Sequence, residues 1–161
     1  MENSFLTRRE FFKRTGIFLT SLFALHYKYK GISKAFADFI LEEPIPTRVL
    51  GKTGVEVTSF GLGGEGILRT YGRTKEAIAV IQKALDLGVT YFDTAPAYSQ
   101  SQDYYGEALQ GRRDNIFLAS KTHDRTKDGS LRLLENSLKR LRTDHLDLWQ
   151  LHDIRTKDDL G

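Results

Sequence analysis

The sequence predicts an α/β fold built on a parallel sheet, and three observations carry that prediction. Short apolar runs recur about every 30 residues, the length of a βαβ unit. Segments with helical periodicity lie between them. Three of the runs end on a polar residue able to do acid–base chemistry: residues 89–93 close on Asp93, residues 116–121 on Lys121 and residues 146–152 on His152. In a parallel barrel the catalytic groups come from the C-terminal ends of several strands, so these endings point to one shared mouth. With Tyr98 just beyond the first run, an acid, a phenol, an ammonium and an imidazole are gathered there. That set suits proton-coupled carbonyl chemistry.

Taken in order, the elements begin after a linker over residues 38–46 that holds Pro44 and Pro46. Arg48-Val49-Leu50 and Val55-Glu56-Val57 flank Gly51-Lys52-Thr53-Gly54, the pattern of a β-hairpin with a glycine-bearing loop. Ser59 to Gly64 makes a first buried strand that runs into a turn. Thr74 is the expected N-cap of a helix whose apolar positions Ala77, Ile78, Ile81, Ala84 and Leu85 follow the 3.6 period, and Gly88 is its C′ stop. A short helix over 103–110 precedes the third strand. Ser130 is the expected cap of a further helix with Leu131, Leu134, Leu138 and Leu141 on one stripe. The fourth strand ends at His152. Strands apolar on both faces fit a sheet covered by helices.

Two architectures produce this rhythm, an open doubly wound sheet and a closed eight-stranded barrel. Residues 61–66 spell G-x-G-x-x-G, and Asp93 ends the second strand, as a dinucleotide-binding open sheet requires. The glycines, however, begin inside the strand, and Arg69 to Gly72 delay the helix, so no helix N-terminus receives a phosphate directly. The open sheet therefore ranks second.

At 161 residues, 40% hydrophobic and 28% charged, the chain has the length and composition of one globular domain. Its formal charge of +3 comes from the leader: residues 1–37 hold seven Lys/Arg against two Glu, which leaves −2 on the remainder. A nucleic-acid footprint belongs on the folded domain, so the basic balance predicts no nucleic-acid partner. No apolar stretch approaches the 18 or more residues of a spanning helix. Absence of cysteine excludes disulfides and thiolate metal sites. The histidines lack metal-ligand spacing, so no metal is expected, and His123 and His145 are taken as structural or solvated.

Thr7-Arg8-Arg9-Glu10-Phe11-Phe12-Lys13 resembles a bacterial twin-arginine export signal. A moderately apolar run over 15–25 follows, and Ala35-Phe36-Ala37 offers an A-x-A cleavage site. Residues 1–37 are thus expected to be a signal peptide read by the twin-arginine translocase. The protein is then periplasmic or otherwise exported, or tethered to the membrane if the signal is not cleaved. The alternative is a basic amphipathic helix on a cytoplasmic protein.

Arg48 to Val57, Gly61-Leu62-Gly63-Gly64, Tyr91-Phe92-Asp93-Thr94-Ala95-Pro96-Ala97-Tyr98, Leu118-Ala119-Ser120-Lys121 and Leu148-Trp149-Gln150-Leu151-His152 together resemble the aldo-keto reductases. The resemblance implies a (β/α)8 TIM barrel whose N-terminal hairpin closes the bottom, with only the hairpin and first four strands present over residues 47–161. It implies an NADPH-dependent oxidoreductase that reduces an aldehyde or ketone to an alcohol, with NADP(H) as cofactor and a small carbonyl compound as substrate. Tyr98 would be the general acid. A free tyrosine titrates near pKa 10, and the Lys121 ammonium, held by Asp93, would lower that value. His152 would orient the carbonyl and share its developing charge. Gly64, where the family more often has threonine, and Asp93 would lie near the nicotinamide.

A (β/α)8 barrel takes about 250 residues, so half of it is missing here. The favoured explanation is a fragment of a full reductase, inactive by itself. The others are two chains pairing into one barrel, and an inactive half-barrel acting as a structural or interaction protein. Unpaired parallel edges and an uncovered apolar face make self-association the expectation if the chain stands alone.

Overall fold

The computed structural model describes residues 44–160. The twin-arginine motif at 7–13, the cleavage site at 35–37 and linker residues 38–43 lie outside the described residues. The first two strands, β1 (Thr47–Val49) and β2 (Glu56–Thr58), form the antiparallel hairpin that the sequence predicts, with Arg48 opposite Val57. Gly51 and Gly54 take the left-handed conformation, φ 56° and 75°, that its loop needs.

Four parallel strands follow in chain order: β3 (Gly61–Gly63), β4 (Tyr91–Asp93), β5 (Phe117–Thr122) and β6 (Leu148–Leu151). A doubly wound sheet would reverse its strand order at a switch point, and these strands do not. After β3 the chain makes a 3-10 turn over Gly66–Arg69, so the G-x-G-x-x-G run opens no α-helix. Three helices connect the strands: α1 (Thr74–Asp86), α2 (Ser101–Ala108) and α3 (Lys127–Leu141).

Successive side chains on a strand face opposite ways. Phe92 and Leu118, paired in register, are both fully buried and join Ile81 of α1, Tyr105 of α2 and Leu141 of α3 in the core. On the other face their neighbours Tyr91 and Phe117 stack with ring centroids 5.3 Å apart. The hairpin is tied to the N-terminal end of β4: the Thr58 amide donates to Thr90 Oγ1 at 2.9 Å, and the Thr90 amide donates to Thr58 Oγ1 at 3.0 Å. It closes the end of the sheet opposite the polar strand endings.

Helix boundaries differ from the sequence expectation for identifiable reasons. Thr74 is the first residue of α1, which follows Arg73 without a side-chain cap. At the other end Gly88, φ 81°, terminates the helix as predicted: its amide donates to Leu85 O and the Val89 amide to Ala84 O. Ser130 is not the cap of α3. Thr126 is, accepting from the Gly129 amide at 3.1 Å, because Asp124 Oδ1 fixes the Thr126 amide and hydroxyl and closes the turn earlier. Ser130 instead accepts from Trp149 Nε1 at 3.0 Å and ties α3 to β6. Leu131, expected on the buried stripe, is 48% exposed. Helix α2 begins two residues before the expected 103, because the Ser101 amide already bonds to Tyr98 O.

Candidate active site

All four predicted chemical groups sit at the C-terminal end of the parallel sheet. Asp93 is the last residue of β4, Lys121 the penultimate residue of β5, and His152 the first after β6. The His152 amide donates to Thr122 O at 2.8 Å, which extends the ladder one residue and fixes where the imidazole leaves the backbone. Tyr98 lies in the turn between β4 and α2. Its amide bonds to Ala95 O, and Ser99 beside it is left-handed at φ 50°. Arg140 of α3 secures that turn, donating to Ser99 O and, at 3.0 and 2.6 Å, to both carboxylate oxygens of Asp103.

Lys121 Nζ donates to Asp93 Oδ1 and, at 3.0 Å, to Thr94 O. The two side chains are 14% and 24% exposed, so the ion pair is held largely out of water. Lys121 Nζ lies 5.0 Å from the centroid of the Tyr98 ring. The Tyr98 hydroxyl is 3.5 Å from His152 Nε2, with the two rings edge to face at 88°. One small acceptor atom placed between them can meet both groups.

Burial first, and the Lys121 charge second, push the His152 pKa below the ordinary 6.5, against the pull of Asp153 and Asp93. At neutral pH the ring is therefore uncharged, with one nitrogen as donor and the other as acceptor. Burial, helped by Asp93, raises the pKa of Tyr105, whose hydroxyl donates to Leu62 O at 2.9 Å. Tyr105 is a core strut, and Tyr98 is the phenol that faces the cleft.

The cleft in front of Tyr98 and His152 encloses about 810 Å³. Every βα turn contributes to it: Arg69, Tyr98, His123, Arg125, His152 and Arg155 all line the wall. His123, expected to be structural or solvated, is exposed and belongs to this wall. Asp93 and Lys121 lie beneath Tyr98 and do not line the cleft themselves. Gly64 is buried at the end of β3, where an added Cβ would stand 2.7 Å from Asp93 O and 2.9 Å from Thr94 Oγ1. Threonine would not fit there without movement, and Gly64 offers a ligand only its backbone. Sequence reasoning did not single out Arg125 or Arg140 for the site. Neither lies in a recognisable motif, and both act on backbone carbonyls far along the chain.

A parallel βα sheet with an acid, phenol, ammonium and imidazole at its C-terminal mouth defines a class, the barrel proteins that do proton chemistry at their strand ends. The model of the Aldo/keto reductase family matches residues 59–160, and the chain belongs to that family. It is 42% identical over 120 residues to aldo-keto reductase YhdN of Bacillus subtilis, a match covering 64% of this chain and 36% of that protein. The fold superposes on the holo form of aldo-keto reductase AKR11C1 of Bacillus halodurans with a TM-score of 0.64 and 33% identity, covering 71% of this chain and 42% of that one. It superposes on a Klebsiella pneumoniae aldo-keto reductase in complex with NADPH with a TM-score of 0.57 and 33% identity, covering 63% and 38%. These are (β/α)8 barrels, and the hairpin and strands β3 to β6 are the corresponding part of that barrel. The chain spans about two-fifths of the length of such relatives.

Proposed function

We propose that the polypeptide carrying this chain is an NADPH-dependent oxidoreductase that reduces an aldehyde or ketone to an alcohol, with Tyr98 as general acid. The observation that carries this reading is the convergence of the Tyr98 hydroxyl and His152 Nε2, 3.5 Å apart, above the Lys121–Asp93 ion pair.

The chemistry follows from the charges. As a carbonyl is reduced its oxygen becomes alkoxide-like, and groups already aimed at that oxygen stabilise the change without reorganising. Tyr98 gives the oxygen its proton. The neutral His152 ring offers one N–H to the same oxygen and so holds the carbonyl in place. Lys121 stands near the tyrosine ring as a fixed positive charge that favours the phenolate left after proton transfer, and Asp93 fixes the Lys121 ammonium.

The residues present suit the nicotinamide end of the nucleotide. Gln150 pairs in register with Lys121, and its Oε1 is buried without a hydrogen-bond partner among the described residues, an open acceptor for an amide N–H. Asp93 and the Gly64 backbone would border the ring. NADPH, when bound, supplies the hydride. Support for this cofactor comes from the NADPH complex of the Klebsiella relative.

Tyr98→Phe tests the assignment. It deletes the proton donor and leaves the ring, so kcat should fall by at least about 100-fold while NADPH affinity is kept. Unchanged carbonyl-dependent NADPH consumption in the variant would remove Tyr98 from the role.

We also propose that residues 1–37 are a twin-arginine signal, residues 38–46 a linker and residues 47–161 the N-terminal half of the barrel, with the full reductase exported to the periplasm. The paired Arg8 and Arg9 and the Ala35-Phe36-Ala37 site support this. Arg8→Lys with Arg9→Lys should retain the protein in the cytoplasm; equal export of the double variant would exclude the signal.

A further inference from the structure

The His152 amide is anchored on Thr122 O, and the residues after it fold on one another, but neither contact ties the His152 carbonyl side of the loop after β6 to the rest of the site. Asp153, next to His152, takes the left-handed conformation at φ 56°, which few residues but glycine, asparagine and aspartate adopt readily and which turns the chain sharply after the imidazole. The surroundings of this turn centre on Arg125, from the loop after β5. Its Nη2 donates to His152 O at 2.8 Å and reaches Asp153 O at 3.5 Å, and it lies 4.0 Å from Asp159 Oδ1. Asp159 in turn accepts from the Arg155 and Thr156 amides at 3.0 and 2.8 Å, which folds the segment after His152 into a closed turn. Asp153 also holds Arg155 through two bonds of 2.9 and 2.7 Å.

The base of Arg125 is itself fixed. Asp124 on one side bonds the Thr126 amide and hydroxyl, and Thr126 on the other caps α3. The guanidinium therefore projects from a rigid corner between β5 and α3 toward the backbone of the residue that carries the imidazole. One nitrogen, Nη2, carries these contacts, with the His152 carbonyl the nearest at 2.8 Å.

We propose that Arg125 is the positioning residue for His152: it latches the loop after β6 to the loop after β5 and so sets the distance between the imidazole and the Tyr98 hydroxyl. This rests on the reading of Tyr98 and His152 as the carbonyl-binding pair. Arg125 works through the His152 and Asp153 carbonyls and does not itself touch the reacting atoms. Its side chain is 31% exposed and does not enter the core, so its loss leaves the sheet and helices in place.

The test uses the natural polypeptide that carries this sequence. Arg125→Ala should lower kcat by about tenfold or more, the usual cost of a small misplacement, while NADPH affinity changes by less than about twofold. Arg125→Lys keeps a donor of similar reach and should recover most of kcat. A second readout needs no turnover. In Arg125→Ala the NMR titration of the His152 ring should move up toward the ordinary imidazole range, because a released ring regains water. The groups that face it, Tyr98, Lys121, Asp93, His123 and Asp153, and the charged groups that share its cleft, Glu65, Arg69, Arg155 and Asp159, are unaltered, so the one charge removed is that of Arg125. The upward movement should persist in about 1 M salt, where charges are screened beyond about 3 Å, which separates lost position from lost charge. An unchanged His152 titration, or an unchanged kcat in an active enzyme, overturns the latch. If the wild type reduces no carbonyl, the proposed function fails, and the ring titration still decides whether Arg125 positions His152.

Discussion

His152 is the residue whose protonation the site controls most visibly, because burial and the Lys121 charge both disfavour its cation. Its folded pKa lies below the ordinary 6.5, so the unfolded chain takes up a proton that the folded chain refuses. The contribution to stability is complete above about pH 6.5 and is lost as pH falls from there through the folded value. Asp124, Asp153 and Asp159 are also held below their ordinary 3.8, but their contributions disappear only in a separate, more acidic window. A denaturation series across pH 5 to 7 should thus show a one-proton fall in stability toward the acid side, and His152→Gln should flatten it. An equally steep fall in the variant would assign the step elsewhere. That Asp93, Lys121 and His152 come to one end of the sheet was legible in the sequence because each stands where an apolar run ends, and Tyr98 follows one such end. Arg125 and Arg140 were not. Their partners are carbonyls 27 and 41 residues away, and no local pattern marks a side chain that serves a distant backbone.

Helices α2 and α3 cross closely enough to tie their packing to the site. At Gly106 of α2 an added Cβ would stand 3.0 Å from the Leu141 backbone and closer still to Arg140 O. Gly106→Ala should therefore push the helices apart. It gains about 1 kcal/mol in helix propensity but forces the backbone to move at about 1–3 kcal/mol, and a net loss in urea unfolding is expected. Because Arg140 also holds Ser99, the same change should loosen Tyr98, which quantitative exchange of the Ser101 amide would detect. No loss of stability would mean that α2 and α3 can separate at Gly106 without cost. Element types were legible where one period dominated, as along α1, whose stop at Gly88 is a backbone requirement that the glycine announces. Boundaries were less so. Residues 89 and 90 look like strand by composition, but Thr90 is engaged by Thr58 of the hairpin, so β4 begins only at Tyr91. The start of α3 was hidden because Asp124, outside the helix, decides which hydroxyl becomes the cap.

The sheet as a whole ends in two parallel edges, β3 and β6, that carry no further strand among the described residues. Its inner face carries the part-exposed Tyr91 and Leu148 beside the buried Phe117, and on its outer face Leu151 of β6 is 45% exposed among the described residues. In the (β/α)8 relatives such edges are paired and such faces are covered by the remaining strands and helices, and this chain matches only 36% of YhdN and 42% of the Bacillus halodurans reductase. Backbone groups on an open edge recruit another strand, and an apolar face recruits another surface. Residues 44–161 produced by themselves should therefore sediment as concentration-dependent oligomers and bind a hydrophobic dye, whereas the polypeptide with the whole barrel should do neither. The same comparison separates the readings of the chain. If the isolated part associates and shows no NADPH binding while the whole barrel binds it, these residues are one half of a reductase whose nucleotide grip depends on the other strands. A discrete two-chain assembly that binds NADPH would instead mean that a second copy supplies the missing edge. A monomer that binds no dye would show that the edges are protected without any partner, contrary to the physics of an open parallel sheet.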